Sequence, residues 1–296
     1  MRNYNLNIAG YIIRFESSGR GPELVPSERF LRNICSDDDP DLLIRVHPGN
    51  YKLPRIAEKV FNAPYIEEIN GKQVKKSDRF WSVHRYQNDL FIKTFLPLSS
   101  ESKKAILKYS LNSRDWDLWI EGKVAETDPM EYPLDGLILY YLTVIYGDIM
   151  IHASGINNAG HGYIFSGVSG KGKTTMAKLW DNSGATVIHD DRLIIRHTGM
   201  GGFVMHNTPV YRNDMPHQSP LHKIFLIEHG EKNKLIPVRG ADCISRLMAN
   251  CIQHNWNPEI IARLLGSVSI MCSVIPVYRL IFKPDRSVID LILEYE

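Results

Sequence analysis

The sequence predicts an α+β protein with a β-rich domain over residues 1–128 followed by an α/β domain over 129–296. Three observations lead there. The length, 296 residues, suits two domains. Up to about residue 128, apolar residues fall in short alternating runs bounded by turn signals, the pattern of half-buried strands. From Leu134 onward, helical and strand-like stretches take turns, as they do in α/β units.

In the first half, Tyr4–Ile8 and Tyr11–Glu16 alternate around Gly10, and Leu42–Val46, Phe80–His84 and Leu90–Phe95 are further β-type runs. Asn70-Gly71 and Asn88-Asp89 are turn signals between such runs. Ser27–Cys35 reads as helix with Ser27 as its N-cap. Trp116 and Trp119 fall in another strand, and this half carries no chemical motif. Glu126 to Pro133 reads as the boundary.

Leu134–Tyr146 is then an apolar helix closed by Gly147. Ile149–Ile156 and Gly162–Ser166 are strands joined by a turn-rich stretch, and Thr186–His189 is a short strand. Gly199–Pro220, with three prolines and three glycines, reads as irregular. Lys223–Ile227 is a buried-type strand. Gly240–Ile252 and Pro258–Cys272 are helices, the second capped by Asn257 with Pro258 in its first turn. Val277–Phe282 is a strand and Ser287–Tyr295 a terminal helix.

Bulk properties narrow the functional classes. Apolar residues make up 44%, enough for real cores. The formal net charge is +2, from 35 basic and 33 acidic side chains, which argues for neither nucleic acid nor a membrane surface as partner. Met1–Asn7 has no apolar signal-peptide core, and Leu137–Ile151 is interrupted by Gly147 and Asp148. The four cysteines form no CxxC pair, so the expected compartment is a reducing cytoplasm. Cys243, Cys251 and His254 lie close in sequence, but not at zinc-finger spacing, and read as buried residues of a helix.

The chemistry lies in Gly167-Val-Ser-Gly-Lys-Gly-Lys173-Thr174, which fits the phosphate-loop pattern G-x-x-x-x-G-K-[ST]. A β-type run, Tyr163–Phe165, precedes it, and a helical run through Trp180 follows. A glycine loop entering a helix N-terminus suits an anion, because free N–H groups and the helix dipole both favour negative charge. Gly167, Ser169, Gly170, Lys171, Gly172, Lys173, Thr174 and Thr175 are therefore the expected nucleotide-binding residues. Lys173 would reach the β- and γ-phosphates and the Thr174 hydroxyl would sit on Mg²⁺. Lys171 either adds charge or faces water.

Two geometric expectations bring further residues to this loop. The helix from Lys173 is only about 13 Å long, so the strand Thr186–His189, if parallel to Tyr163–Phe165, returns Asp190 and Asp191 to the nucleotide end of the sheet. Successive residues point to opposite sides, so one acid can face a metal and the other an attacking group. If Ile149–Ile156 and Gly162–Ser166 form a hairpin centred on Ala159, His152 lies opposite Ser166, beside the loop; a structural histidine is the other reading. Arg192, Arg196, Arg212 and His217 are looser candidates, with Gly199–Pro220 as a lid and Arg212 over the phosphates, or simply in solvent.

Taken together, Ile151-His152-Ala153-Ser154-Gly155, the loop, and His189-Asp190-Asp191-Arg192 resemble the HPr serine kinase/phosphorylase family, whose catalytic domain is similar to ATP-dependent phosphoenolpyruvate carboxykinase. The short distance from loop to paired acids is the specific part, and the resemblance spans about residues 134–283. It implies a P-loop kinase domain using ATP and Mg²⁺. Asp190 would be the base toward an acceptor serine, Asp191 with Thr174 would hold the metal, and His152 would sit near the γ-phosphate. The two acids' roles are open to exchange. Val168 replaces the family's usual acid and Thr174 its usual serine. The Glu-x-Arg-Gly stretch that accompanies phosphorylase activity is missing, which argues against HPr as acceptor and for a divergent member acting on serine in a peptide, a protein or the free amino acid. The expected function is thus a Mg²⁺·ATP-dependent serine kinase in the cytoplasm, with homo-oligomer formation left open. The alternatives are a non-catalytic ATP-binding sensor and, for want of basic residues toward an oxaloacetate-like substrate, less readily a carboxykinase.

Overall fold

The computed structural model describes residues 1–19, 21–69, 72–97, 103–122, 126–168, 170–209 and 215–295, without the side chains of 67–69 and 72–73. It is a mixed, strand-rich α+β structure. Two compact units emerge: one holds Met1–Leu142 with Pro209 and Met215, the other Thr143–Thr208 and Pro216 onward.

The first unit is built on a nine-stranded sheet. Its chain order is β1 (Asn3–Ile8), β2 (Tyr11–Ser17), β3 (Glu23–Leu24), β4 (Ile34–Cys35), β5 (Leu42–Pro48), β6 (Glu58–Ile69), β7 (Lys72–Tyr86), β8 (Asp89–Leu96), β9 (Lys103–Tyr109), β10 (Asp115–Ile120) and β11 (Glu126–Thr127). The sheet order β4-β1-β2-β5-β10-β9-β8-β7-β6 leaves β4 and β6 as its edges, while β11 pairs with β3. Alternation sets the buried face: Ile13, Phe15, Leu42, Ile44 and Val46 are fully buried while their neighbours are not. Glu28–Asn33 forms a 3₁₀ helix before β4, not the longer helix the sequence suggests, and the Ser27 side chain makes no capping bond. The expected turn at Asn70-Gly71 lies outside the described residues.

α1 (Leu134–Tyr146) begins in this unit, where Tyr141 packs on Tyr109 at 4.4 Å between ring centres. At its start the fully buried Asp135 meets Arg29 at 2.7 Å.

In the second unit the chain continues as β12 (Ile149–Asn158), β13 (His161–Ser166), α2 (Lys173–Asn182), β14 (Thr186–His189), β15 (Arg192–His197), β16 (Phe203–Asn207), β17 (Gln218–His229), β18 (Lys234–Val238), α3 (Gly240–Met248), α4 (Pro258–Val274), β19 (Val277–Phe282) and α5 (Ser287–Glu294). The strands form one sheet in the order β13-β12-β15-β16-β17-β19-β18, with β14 on β12. β13 also pairs with β17, which closes a ring. The parallel part, β13-β17-β19, lies between two helical layers. Ile164, Ile224, Leu226 and Val277 meet α3 and α4 through Leu247, Leu264 and Val268. Phe165, Phe225, Leu280 and Phe282 meet α2 and α5 through Trp180, Val288 and Ile292. Such a three-layer arrangement buries both faces of the parallel strands.

Two expectations need correction here, and a third falls on residues that are not described. Gly199–Pro220 is not an irregular lid: Phe203–Asn207 alternates buried and half-buried residues and pairs with β15 and β17, the glycines before it forming the hairpin turn. Residues 210–214, Arg212 included, lie outside the described residues. The helix from Gly240 stops at Met248, because the chain then leaves it to bridge Ile151 through Cys251.

Among the described residues, no helix is long and apolar enough to cross a membrane.

Candidate functional site: a phosphate loop facing paired acids

β13 ends at Ser166, and the chain turns through Gly167–Gly172 into α2. Ser169 lies outside the described residues. Gly167 is buried beside β17, where an added Cβ would come within 3.2 Å of the Ile227 carbonyl. Gly172 caps α2 with φ 96° and ψ 21°. Both that conformation and the space demand glycine, for a Cβ there would lie 2.7 Å from Phe282 Cζ and 3.0 Å from His229 Cε1. His229 Nε2 also contacts the Gly170 carbonyl at 3.2 Å. The ends of β17 and β19 thus brace the loop from behind.

Lys173 is buried, and its Nζ donates to the carbonyls of Gly167 (2.7 Å) and Val168 (3.3 Å). Burial lowers its pKa, and the Asp191 carboxylate nearby opposes that shift. Ser154 of β12, fully buried, donates through Oγ to the Lys173 carbonyl at 3.0 Å and ties α2 to the sheet. Thr174, Lys171 and Gly170 are exposed and Thr175 is half-buried.

The acids reach the site as expected in direction, though not as neighbours of the loop strand. β14 runs antiparallel to β12, and β12 antiparallel to β13, so β14 shares the direction of β13 with β12 between them. β14 and β15 are one strand interrupted at Asp190-Asp191: Gly155 faces His189, His152 faces Arg192, and between them Ala153 N donates to Asp191 O at 3.0 Å. Both acids are half-buried.

The register expected for the hairpin is overturned. Ala153, not His152, lies opposite Ser166. The turn holds two residues, Ala159 (φ 48°) and Gly160 (φ 93°), with Asn158 paired to His161. Two successive positive φ values belong to a type I′ turn, whose twist matches the flanking strands. One residue of slip moves every opposition by one.

His152 nevertheless enters the site, through β15. Its Nδ1 donates to the Asp191 carbonyl at 2.7 Å and lies 3.2 Å from Asp191 Oδ1. The His152 contact with the carboxylate, more than the charges of His152 and Arg192, holds the Asp191 carboxyl below the usual carboxylate range against the opposing effect of burial.

Several contributors were not legible beforehand. His189 is buried, and its Nδ1 accepts from both Asp191 N (3.1 Å) and Arg192 N (3.0 Å), which shapes the break between β14 and β15 and requires a neutral ring with its proton on Nε2. The Asn250–Ile252 segment extends the edge of β12 beyond β13, with His152 N donating to Asn250 O at 3.0 Å. Arg192 Nε is buried without a hydrogen-bond partner among the described residues. The His-Asp-Asp-Arg run hinted at His189; nothing local hinted at His229, Phe282 or Asn250.

Of the looser candidates, Arg196 is engaged by Asp148 at 3.2 Å, and the His217 main chain accepts from Asn207 N (3.1 Å) and donates to Asn207 Oδ1 (2.9 Å). Cys243 faces Cys272 at 3.0 Å between sulfurs, while Cys251 donates to Leu247 O, so the thiols do not converge with His254. Among the described residues, no group of three His, Cys, Asp or Glu side chains forms a cage for a metal. A magnesium ion does not require one, since it is ordinarily held by one or two protein oxygens together with phosphate and water.

No family model matches the chain, and no curated protein matches it. Among solved structures, it is similar to an HPr(Ser) kinase/phosphatase from Coxiella burnetii, at 10% identity and a TM-score of 0.28, over 49% of this chain and 91% of that one. That is a distant structural relation, too weak to carry a function.

Proposed function

We propose that the second unit is the catalytic part of a Mg²⁺·ATP-dependent kinase that transfers the γ-phosphoryl group to a serine hydroxyl of a peptide, a protein or a small molecule in the cytoplasm. The observation that carries this reading is a phosphate loop whose buried lysine lies near the Asp191 carboxylate, which His152 contacts at 3.2 Å. A binding-only protein needs the loop; it does not need paired acids at the same sheet end.

The glycine backbone of the loop fits an anion, and Lys173 has an ammonium that exchanges its bonds to Gly167 O and Val168 O for phosphate oxygens. Thr174 and Asp191 are the residues to hold Mg²⁺, which when bound neutralises charge on the β- and γ-phosphates. Asp190, beside Asp191 in the break between β14 and β15, accepts the hydroxyl proton as the acceptor oxygen bonds to phosphorus and the bridging bond to ADP breaks. His152 acts through Asp191, fixing the orientation and ionisation of that carboxylate.

The test is ³¹P NMR of Mg·ATP with the pure protein, alone and with free serine or serine-bearing peptides. A new phosphomonoester signal, lost in Asp190→Asn while ATP affinity persists, supports the reading. Near-normal turnover in that variant removes Asp190 from its role. Tight ATP binding with no product from any acceptor turns the reading into a nucleotide sensor.

A further inference from the structure

The first unit carries a groove unrelated to the phosphate loop. It lies over β7 and β8 beside the β6 edge, with a volume of about 280 Å³. Four cations line it, Lys59, Arg79, Lys93 and Lys104, and among the described lining residues there is no carboxylate. All four are exposed, and the sheet sets their spacing: Lys59 is opposite His84 across β6–β7, Lys93 opposite Ser82 across β7–β8, and Lys104 opposite Phe95 across β8–β9. Lys104 has a half-buried neighbour in Glu121 at 3.7 Å. For the other three, no carboxylate stands within ion-pair distance among the described residues. The concentration of charge is local, because the whole chain carries only +2. It is felt by His84 in the groove wall, whose pKa is lowered first by burial and then by Lys93 and Lys59.

Cationic grooves receive acidic polypeptides or single-stranded nucleic acids, and the aromatic residues decide between them. Nucleic-acid grooves present open ring faces to bases. Here Phe80 is 7% exposed and packs against Phe95 and Tyr65 at 5.2 and 4.7 Å between ring centres, and Trp81 packs on Phe61 at 5.0 Å. The rings are spent on one another. What remains is point charge beside the open main-chain edge of β6, which has a partner strand only in β7 among the described residues. An extended chain adds to such an edge through its backbone.

We propose that this groove docks an acidic, extended peptide segment, its carboxylates received by Lys59, Arg79 and Lys93 and its backbone by the outer edge of β6. The full chain is titrated by fluorescence anisotropy with a labelled peptide of alternating glutamate and threonine, with its glutamine counterpart, and with a single-stranded oligonucleotide. The glutamate peptide is expected to bind at least about tenfold tighter than the glutamine one and to weaken with added salt. Lys93→Glu and Lys59→Glu each cost about tenfold while leaving the unfolding curve in place, since both side chains are exposed. The His84 ring resonance should titrate at higher pH in the complex, because the bound carboxylates offset the lysines. Absent binding of the glutamate peptide, equal binding of the two peptides, or wild-type affinity in folded charge-reversal variants would overturn the proposal. Tighter binding of the oligonucleotide would replace the peptide with nucleic acid. ATP enters none of these titrations, so their outcome is separate from that of the kinase reading.

Discussion

Replacing Gly172 by alanine is the sharpest probe of the loop. At φ 96° the residue lies in the left-handed region, where a side chain costs about 1–2 kcal/mol. The new methyl would also stand 2.7 Å from Phe282 Cζ and 3.0 Å from His229 Cε1. Phe282 is fully buried and cannot swing away, so this contact adds the overpacking cost of about 1–3 kcal/mol. The total, about 2–5 kcal/mol, falls either on the loop or on the fold. In the first case Mg·ATP affinity drops by roughly 30-fold to several thousand-fold. In the second the melting temperature falls by about 4–20 °C, at about 2–4 °C per kcal/mol for a unit of this size. Calorimetric titration with Mg·ATP and thermal unfolding on the same samples divide the cost between the two. A cycle with Phe282→Leu separates its parts, since the smaller side chain relieves the contact but not the dihedral strain, so the double variant should recover about 1–3 kcal/mol. If Gly172→Ala keeps its affinity within about twofold and its melting temperature within about a degree, the brace by β17 and β19 is not what holds the loop.

Acid should destabilise the second unit through two histidines: burial, with Arg192 nearby, lowers His254 to about 3, and burial with Arg196 lowers His206 to about 4. Both take up a proton on unfolding below the ordinary 6.5, so their stability is complete above that value and is lost as pH falls toward the folded values; at pH 5 each forfeits about 2 kcal/mol. Urea midpoints that match at neutral pH and at about pH 5 would contradict this. Asp135→Ala strands the Arg29 guanidinium next to a buried site and should lower stability by about 3–5 kcal/mol, read from denaturant unfolding; a loss under about 1 kcal/mol would mean the pair is solvated. Ser154→Ala removes the bond to Lys173 O and should lower stability by about 1 kcal/mol and loosen Mg·ATP binding, both measurable on one preparation.

Much of the chain from Leu134 onward was legible because its signals are local. Leu134–Tyr146 and Val277–Phe282 occur with the ends the residue pattern suggests, and Asn257 caps α4 by accepting from Glu259 N. The loop and the acid pair were visible because each is a short run of distinctive residues. What failed was relational. A single residue of turn length decides whether His152 or Ala153 faces Ser166, and Ala159, which seldom takes positive φ, hid the two-residue turn. Glycine and proline content masked β16, whose alternation is plain once the partners are known. His229, Phe282 and Asn250 reach the loop or β12 only through pairing between strands and segments far apart in the chain.

The way β12 is shared has a consequence for the order in which the site comes into being. Its backbone is bonded to β13, to the β14–β15 strand and to Asn250–Ile252, so the environment of His152 is complete only when a segment about a hundred residues downstream has arrived. The glycine loop, the helix behind it and the acids all leave the ribosome well before that segment does. Competence toward nucleotide should therefore appear late and all at once during folding, as a property of the assembled ring of strands. A fragment ending before Asn250 would carry every residue of the motif and still lack the site.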